Sequence, residues 1–312
     1  MRFIFTPDHL SPQNIRLPIL FSTLAMSSHA VSLSAELANA VRTNVTAALA
    51  EDIGSGDLTA HLIPEQATAS AAVICREKAI LCGQAWFEAC FHQIDPSIKI
   101  HWYTRDGSCI GVDQMLCEIH GNARALLTAE RSALNFLQTL SATATITQRY
   151  SDAISGSNTI VMDTRKTLPG LRLAQKYAVL TGGGANQRIG LYDGILIKEN
   201  HIAAAGGIAQ VLAVATQLAG GAPVQIEVEN IDELQQALDA GASLILLDNF
   251  SIDMLSEAVR LSAGRAVLEA SGNINLDTIR SVAETGVQRI SVGSLTKHIQ
   301  AVDLSMRFEW AV

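Results

Sequence analysis

The chain has 312 residues, of which 48% are apolar, so it is long enough to bury the cores of two domains. Only 17% of its residues are charged and its formal net charge is -8. This charge excludes the broad attraction of a basic protein for nucleic acid or anionic lipid, so we expect no nucleic-acid partner and no membrane. The five cysteines form no CxxC pair. This predicts neither a disulfide framework nor a zinc site, and it favours a cytoplasmic location.

The first residues differ in character from the rest of the chain. The stretch LPILFSTLA, residues 17–25, has the composition of a weak signal peptide, but Pro18 interrupts it. We therefore expect residues 1–31 to be an extension that is disordered or not conserved. Met26 is an alternative start of the chain.

The next hundred residues predict a mixed α/β module. Residues 34–50 carry apolar side chains at helical steps of four. Residues 69–120 contain alternating stretches and turn pairs, which predict a strand-rich module with helical inserts. Residues 126–140 then predict a strong amphipathic helix, capped by Thr128 and carrying Arg131 on its first turns.

After about residue 155, six apolar strands alternate with helical stretches, which indicates parallel βα units. The segment is shorter than a barrel of eight units, so we expect an incomplete βα barrel. Polar residues lie at the carboxyl end of each strand, where a βα barrel builds its active site. These residues are Asp163, Arg165, Lys166, Lys198, Glu227, Glu229, Asp248, Ser271, Asn273, Gly293 and Ser294.

Two kinds of charge meet at these strand ends. Several cations at one barrel mouth repel each other unless a polyanion lies among them, and Arg and Lys suit carboxylates and phosphates. The neighbouring carboxylates can hold Mg²⁺, often through water. The sequence therefore predicts a substrate with several phosphates and a metal, together with a second, anionic substrate. The cations are Arg165, Lys166, Arg188 and Lys198, with Arg172 and Lys176 nearby, and the carboxylates are Glu227, Glu229 and Asp248.

Each of these residues also has a simpler interpretation. A single Arg or Lys after a strand is more often exposed or ion-paired than bound to a ligand. Lys198 can be the partner of Glu227 or Asp248, Asn200 can cap the next helix, and His201 is more often structural than catalytic. The clustering of the whole set at one end of the barrel is harder to explain by structure alone.

Several motifs together resemble the quinolinate phosphoribosyltransferase family, the carboxylating nicotinate-nucleotide pyrophosphorylases. They occur in the order of the family and cover nearly all of the chain from about residue 32. The most specific are DTRKTLPGLR and LIKENHI, and the others are ALAEDIGSGDLT, TAERSALNFLQTLS, GGGANQR, IEVEN, LILLDNF, ASGNI and SVGSLTKH. The resemblance implies an α/β fold with two domains. These are an N-terminal open-faced α/β sandwich (residues 32–136 and 296–312) and a C-terminal incomplete βα barrel (residues 137–295).

The resemblance also implies an activity and a set of roles. The family transfers phosphoribosyl from phosphoribosyl pyrophosphate to quinolinate with decarboxylation, giving nicotinate mononucleotide, pyrophosphate and CO₂ in de novo NAD biosynthesis. It implies Mg²⁺ held by Glu227 and Asp248, through water, and a homodimer in which Arg131 reaches the site of the neighbouring subunit. The implied catalytic residues are Lys166, Lys198, Glu227 and Asp248. The implied substrate-binding residues are Arg131, Thr164, Arg165, Lys166, Gln187, Arg188, Lys198, Glu227, Asp248, Ser271, Gly272, Asn273, Val292, Gly293 and Ser294.

One departure from the family pattern bears on the substrate. The family usually has His before Arg in GGGANHR, whereas this chain has Gln187. Because glutamine carries no charge, we expect a lower affinity for quinolinate but not a loss of function.

Three alternative functions remain: transfer to another pyridine or aromatic acid, a barrel aldolase with Lys198 as Schiff-base lysine, and a non-catalytic ligand-binding homologue.

Overall fold

The computed structural model describes residues 34–310, so the predicted extension and Met26 lie outside the described residues. The helices are α1 (Ala35–Ile53), α2 (Gln84–Ile94), α3 (Ala123–Ala153), α4 (Arg172–Thr181), α5 (Glu199–Ala205), α6 (Ile208–Leu218), α7 (Ile231–Asp239), α8 (Ile252–Ser262), α9 (Ile279–Glu284) and α10 (Ser294–Lys297). The strands are β1 (Thr68–Cys75), β2 (Ala79–Ile80), β3 (Lys99–Trp102), β4 (Cys109–Ile110), β5 (Met115–Asn122), β6 (Ile160–Met162), β7 (Ile195–Ile197), β8 (Val224–Val228), β9 (Leu244–Asp248), β10 (Val267–Ser271), β11 (Arg289–Ser291) and β12 (Leu304–Trp310).

An antiparallel sheet in the order β12-β1-β5-β3 forms the first layer. Ala71 of β1 lies opposite Ile119 of β5 and both are buried, whereas the adjacent pair Ser70 and His120 is not buried. The sheet thus packs one face on the core and leaves the other face open, as antiparallel sheets often do. This confirms the predicted open-faced α/β sandwich. The C-terminal strand β12 pairs with β1 of the same sheet.

The first helix agrees with its prediction. Ser34 caps α1, since its Oγ accepts a hydrogen bond from the Leu37 N–H at 3.2 Å. Of the apolar side chains at steps of four, Val41, Val45 and Leu49 are buried and Leu37 is half-buried. The periodicity therefore located both the helix and its buried face.

The long helix α3 differs from its prediction. It begins at Ala123 and is capped by Asn122, whose Oδ1 accepts from the Ala125 N–H at 3.2 Å. The predicted cap Thr128 is therefore wrong, because its hydroxyl lies inside the helix and donates to Asp57 at 2.8 Å. With 31 residues, α3 also runs through the predicted boundary at 136–137, and the domain limits stay a prediction.

Six parallel strands form the second sheet, in the order β6-β11-β10-β9-β8-β7. Their helix-facing side chains, such as Ile226, Ile245, Leu268 and Ile290, are buried in one core. The strands β6 and β7 end the sheet and do not pair with each other. The predicted incomplete βα barrel is confirmed.

Among the described residues, no single helix has the length and apolar character needed to cross a membrane. The helices α5 and α6 meet these criteria only when taken together, and they are bent by 98° at the break between them. Ile208, Val211 and Leu212 of α6 are buried in the barrel core.

Candidate active site

The parallel sheet brings the predicted residues of the barrel to one end. Because all six strands run in the same direction, their carboxyl ends meet at one mouth. Thr164, Arg165 and Lys166 follow β6, Gln187 and Arg188 lie in the loop that precedes β7, and Lys198 follows β7 directly. Glu227 lies near the end of β8, Asp248 ends β9, Ser271 ends β10 with Gly272 and Asn273 after it, and Val292, Gly293 and Ser294 follow β11.

A buried ion pair joins two segments at the start of this mouth. Lys176 of α4 donates to Asp163 Oδ1 at 2.6 Å, and the two side chains are 2% and 0% exposed. Lys176 also donates to the Gln187 carbonyl at 2.8 Å, and the Gln187 N–H donates to Asp163 at 2.8 Å. Burial raises the pKa of Asp163 to about 6 and lowers the pKa of Lys176, while the attraction between the charges opposes both shifts. Lys176 therefore connects structural groups and is not open to a ligand.

The side chain of Gln187 contacts a residue that the sequence interpretation missed. Its Nε2 donates to Oε1 of Glu269, a fully buried carboxylate on the inner face of β10. Gln225 of β8 donates to the other oxygen of Glu269 at 2.9 Å. The only sequence signal for Glu269 was the alternation of side-chain direction along a strand. This alternation places Glu269, two residues before Ser271, on the same face of β10.

Three cations remain open at the mouth. Lys166 is exposed, and Arg165 and Arg188 are half-buried. Burial and the neighbouring Arg165 guanidinium lower the pKa of Arg188. Within residues 34–310, none of the three takes part in a salt bridge, and the buried Nε of Arg165 has no hydrogen-bond partner. Unpaired cations held this close favour an anionic ligand, because each raises the local positive potential.

The glycines of TGGGANQR have a packing reason. A Cβ on Gly182 would lie 2.3 Å from the Ala144 carbonyl oxygen of α3, and one on Gly184 would lie 2.8 Å from Thr147. Gly183 has φ +83°, in the left-handed region that glycine tolerates. The glycines thus let the loop lie against α3 on its way to Arg188.

The carboxylates of the mouth follow β7 to β9. Lys198 donates to Glu227 Oε2 at 2.6 Å, with 44% of the Lys198 side chain exposed. Asp248 accepts from the Asn249 amide at 2.8 Å. The pairing of Lys198 does not suit the Schiff-base alternative, because an ammonium bound to a carboxylate is not the free amine that attacks a carbonyl. His201 supports the start of α5, since its Nδ1 accepts from the Lys198 N–H at 3.0 Å.

The loops after β10 and β11 bring backbone close to these side chains. A Cβ on Gly272 would lie 2.2 Å from Asn249 Oδ1, and one on Gly293 would lie 3.1 Å from Lys166 Cδ. Ser294 begins α10, so its N–H has no partner within the helix. These glycines permit the close packing of neighbouring strand ends.

Arg131 does not join the others. It is exposed on α3, and it lines a groove together with Glu51 and Asp52 of α1. Within the described chain, no hydrogen bond or salt bridge connects it to the barrel mouth. The structure of one chain thus brings together the barrel residues but leaves Arg131 outside.

A barrel mouth that combines open cations with carboxylates defines a class of enzyme for anionic substrates. Two family models match the chain: "Quinolinate phosphoribosyl transferase, N-terminal domain" over residues 57–141, and the C-terminal domain of the same name over residues 143–307. The chain therefore belongs to the quinolinate phosphoribosyltransferase family, as its motifs predicted.

Known relatives agree with this assignment over most of the chain. A carboxylating nicotinate-nucleotide pyrophosphorylase, chloroplastic, of Oryza sativa subsp. japonica is 36% identical over 95% of this chain and 85% of its own length. A decarboxylating quinolinate phosphoribosyltransferase, mitochondrial, of Nicotiana tabacum is 39% identical over 84% of this chain and 80% of its own. The solved nicotinate-nucleotide pyrophosphorylase from Francisella tularensis is 47% identical, with a TM-score of 0.85 over 87% of this chain and 97% of that one. The roles of the individual residues stay predictions.

Proposed function

We propose that this protein transfers phosphoribosyl from phosphoribosyl pyrophosphate to quinolinate with decarboxylation, giving nicotinate mononucleotide, pyrophosphate and CO₂ for NAD biosynthesis. One observation carries the proposal. Arg165, Lys166 and Arg188 lie at one barrel mouth without salt-bridge partners in the described chain, beside the carboxylates Glu227 and Asp248. Such a site suits a dicarboxylate next to a polyphosphorylated sugar.

The proposed transfer mainly requires the protein to position its two substrates. The pyridine nitrogen bonds to C1′ as the C1′–O bond to pyrophosphate breaks, through a state with positive charge on the sugar. The cations would hold the quinolinate carboxylates so that the nitrogen faces C1′, which converts an encounter of two molecules into a step within one complex. Glu227 and Asp248 would face the ribose and its developing charge.

Decarboxylation follows from the same bond. Once the ring nitrogen carries ribose, it is a cation, and it stabilises the electron pair left on the adjacent carbon when that carboxylate departs as CO₂. That carbon then takes a proton. The half-buried setting of Arg165 and Arg188 would limit water around a ring bound there. We assign no side chain as general acid or base.

A magnesium ion fits the carboxylates only with help from the substrate. Asp248 keeps one oxygen free of its bond to Asn249, whereas Glu227 is bound by Lys198. Residues 34–310 contain no cluster of three or more metal-ligating side chains. Asp248 and Glu227 would therefore hold Mg²⁺ through water, with phosphate oxygens completing its shell, as Mg²⁺ prefers. Bound there, it would neutralise charge on the departing pyrophosphate.

We further propose a homodimer in which Arg131 serves the partner's site. Its exposed position on α3, outside the mouth of its own barrel, supports this arrangement. The cytoplasmic location stays a prediction from the cysteine pattern.

The test is product formation by the purified protein with quinolinate, phosphoribosyl pyrophosphate and Mg²⁺, followed by chromatography for nicotinate mononucleotide. We expect product from quinolinate and little from nicotinate in a parallel reaction. Addition of EDTA should stop the reaction, and excess Mg²⁺ should restore it. Product from nicotinate alone, or none from either acid with folded protein, would overturn the proposed substrate. Activity that survives EDTA would overturn the metal.

A further inference from the structure

The two loops that carry the open guanidinium groups are joined by a third arginine. Arg172, the first residue of α4, donates from Nη2 to the Arg165 carbonyl at 3.3 Å and from Nε to Thr167 Oγ1 at 3.2 Å. Its Nη1 donates to the Ile189 carbonyl at 3.1 Å, in the loop that holds Arg188. All three nitrogens of one planar group are therefore used by the protein itself.

A second connection from α4 runs parallel to the first. Lys176 lies one helical turn after Arg172, so both side chains leave the same face of α4. Lys176 ties Asp163 to the Gln187 carbonyl. Arg172 and Lys176 together fix residues 163–167 against residues 187–189, immediately beside the guanidinium groups of the site.

The far end of the second loop is fixed as well. Asp193 accepts from the N–H groups of Ile189 and Gly190 at 2.7 and 2.8 Å. Burial acts to raise the pKa of Asp193, but these backbone donors outweigh it and lower that pKa. Ile189 thus donates its N–H to Asp193, and its carbonyl accepts from Arg172.

We propose that Arg172 is a positioning residue that sets the spacing between Arg165 and Arg188, and that it does not bind substrate itself. The rigid fork of a guanidinium can hold three acceptors at fixed distances, whereas a lysine at the same place can satisfy only part of them. The proposal rests on the proposed function for its kinetic consequence. Its structural consequence is independent of any substrate.

The structural arm compares Arg172→Lys with Arg280→Lys, a charge-conserving change at a surface arginine that also bonds a backbone carbonyl. Amide hydrogen exchange is followed by mass spectrometry on the full chain without substrates. We expect residues 186–194 to exchange about tenfold faster in Arg172→Lys only, with the rest of the chain unchanged. Wild-type exchange in this segment would overturn the proposal.

The kinetic arm is a double-mutant cycle with Arg188→Ala. We expect Arg172→Lys to lower kcat/KM for quinolinate about 100-fold, since small displacements of positioning groups cost that much. In the Arg188→Ala background there is no second guanidinium left to position, so the same change should cost little more. Additive losses would instead make Arg172 a direct ligand and overturn the proposal.

The two arms also separate this inference from the proposed function. A wild-type protein without activity on quinolinate would overturn the function, while the exchange experiment would still decide whether Arg172 joins the loops. Should Arg172→Lys not fold, Thr167→Val replaces it in both arms, because it removes one of the three acceptors. We then expect smaller changes of the same kind, and their absence would overturn the proposal.

Discussion

The two halves of the barrel mouth are built differently. On the side of β6 and the loop before β7, buried groups hold the cation-bearing loops: the Asp163–Lys176 pair and the Gln187–Glu269 bond. On the side of β7 to β9, the charged groups rest on partly open contacts, such as the Lys198–Glu227 pair, whose side chains are 44% and 11% exposed. We call these the buried half and the open half.

The difference indicates which charges are preorganised. In the buried half, Asp163, Lys176 and Glu269 are buried and Gln187 is half-buried, so the open cations keep their places before any ligand arrives, and they lose little energy to reorganisation. In the open half the partners of Glu227 and Asp248 are side chains that a ligand or metal can replace. The buried half therefore suits recognition of the carboxylates, and the open half suits groups that change during the reaction.

The same substitution in each half gives the largest expected contrast. Lys176→Met leaves the buried Asp163 without its cationic partner, which should lower the free energy of unfolding by about 3–5 kcal/mol. Lys198→Met breaks a pair in which Lys198 is 44% and Glu227 11% exposed, so it should cost clearly less stability than Lys176→Met while activity is lost. Urea denaturation and product assays measure the two effects. Equal losses of stability would remove the distinction between the halves.

The pH dependence of the stability lost in Lys176→Met tests whether this loss originates at Asp163. The pKa of Asp163 is already raised to about 6 by burial, and Lys176 opposes this rise. Without Lys176 the pKa should rise further above its unfolded value, so stability present at low pH is lost as pH rises through the folded-state pKa. The deficit relative to wild type should grow as pH rises above about 6, by up to about 1.4 kcal/mol per pH unit. A deficit independent of pH would contradict this origin.

Within the buried half, a change at the ligand-facing side should affect activity and not stability. Lys166→Ala removes an exposed cation that makes no salt bridge in the described chain. We expect turnover to be lost, at least about 100-fold, with an unchanged unfolding midpoint, because the charge acts on the substrate alone. Lys99→Ala, an exposed lysine of β3, is the control. Normal turnover in Lys166→Ala would remove the cationic pocket from the mechanism.

Sequence reasoning found the open side chains of the mouth better than their supports. The alternation of strands and helices predicted parallel strands, whose carboxyl ends all lie at one edge of the sheet. Lys166, Lys198 and Asp248 come at or just after such ends, so the sequence placed them at the mouth. The partners of these residues were harder to find. Arg172 and Lys176 were grouped with the ligand-facing cations, since nothing in a helical pattern tells a buried lysine from an exposed one.

Two misses have a common physical cause. Glu269 contacts Gln187 and Gln225 from other βα units, and such long-range contacts leave no local pattern. Thr128 fits the rule for a helix cap, but the chain continues from β5 into α3 without a turn, so Asn122 takes that role. Local rules identify what a residue can do, and the fold decides which partner it meets.

The smallest expected effect concerns Gln187, which donates to the buried Glu269 and is also a predicted substrate-binding residue. Gln187→Leu and Gln225→Leu each remove one of the two amide donors to Glu269, and each should cost about 1–3 kcal/mol of stability. If Gln187 also contacts the substrate, only Gln187→Leu should raise KM for quinolinate.

Gln187→His separates charge from hydrogen bonding at this position. An imidazole beside the buried Glu269 carboxylate favours its protonated form, which would add a cation to the mouth. We therefore expect the KM for quinolinate to fall about fivefold, as about 1 kcal/mol of added attraction gives. A KM that is unchanged in Gln187→His and raised equally in both leucine variants would make Gln187 a support of Glu269 alone. The carboxylates of quinolinate would then be held by Arg165, Lys166 and Arg188 without it.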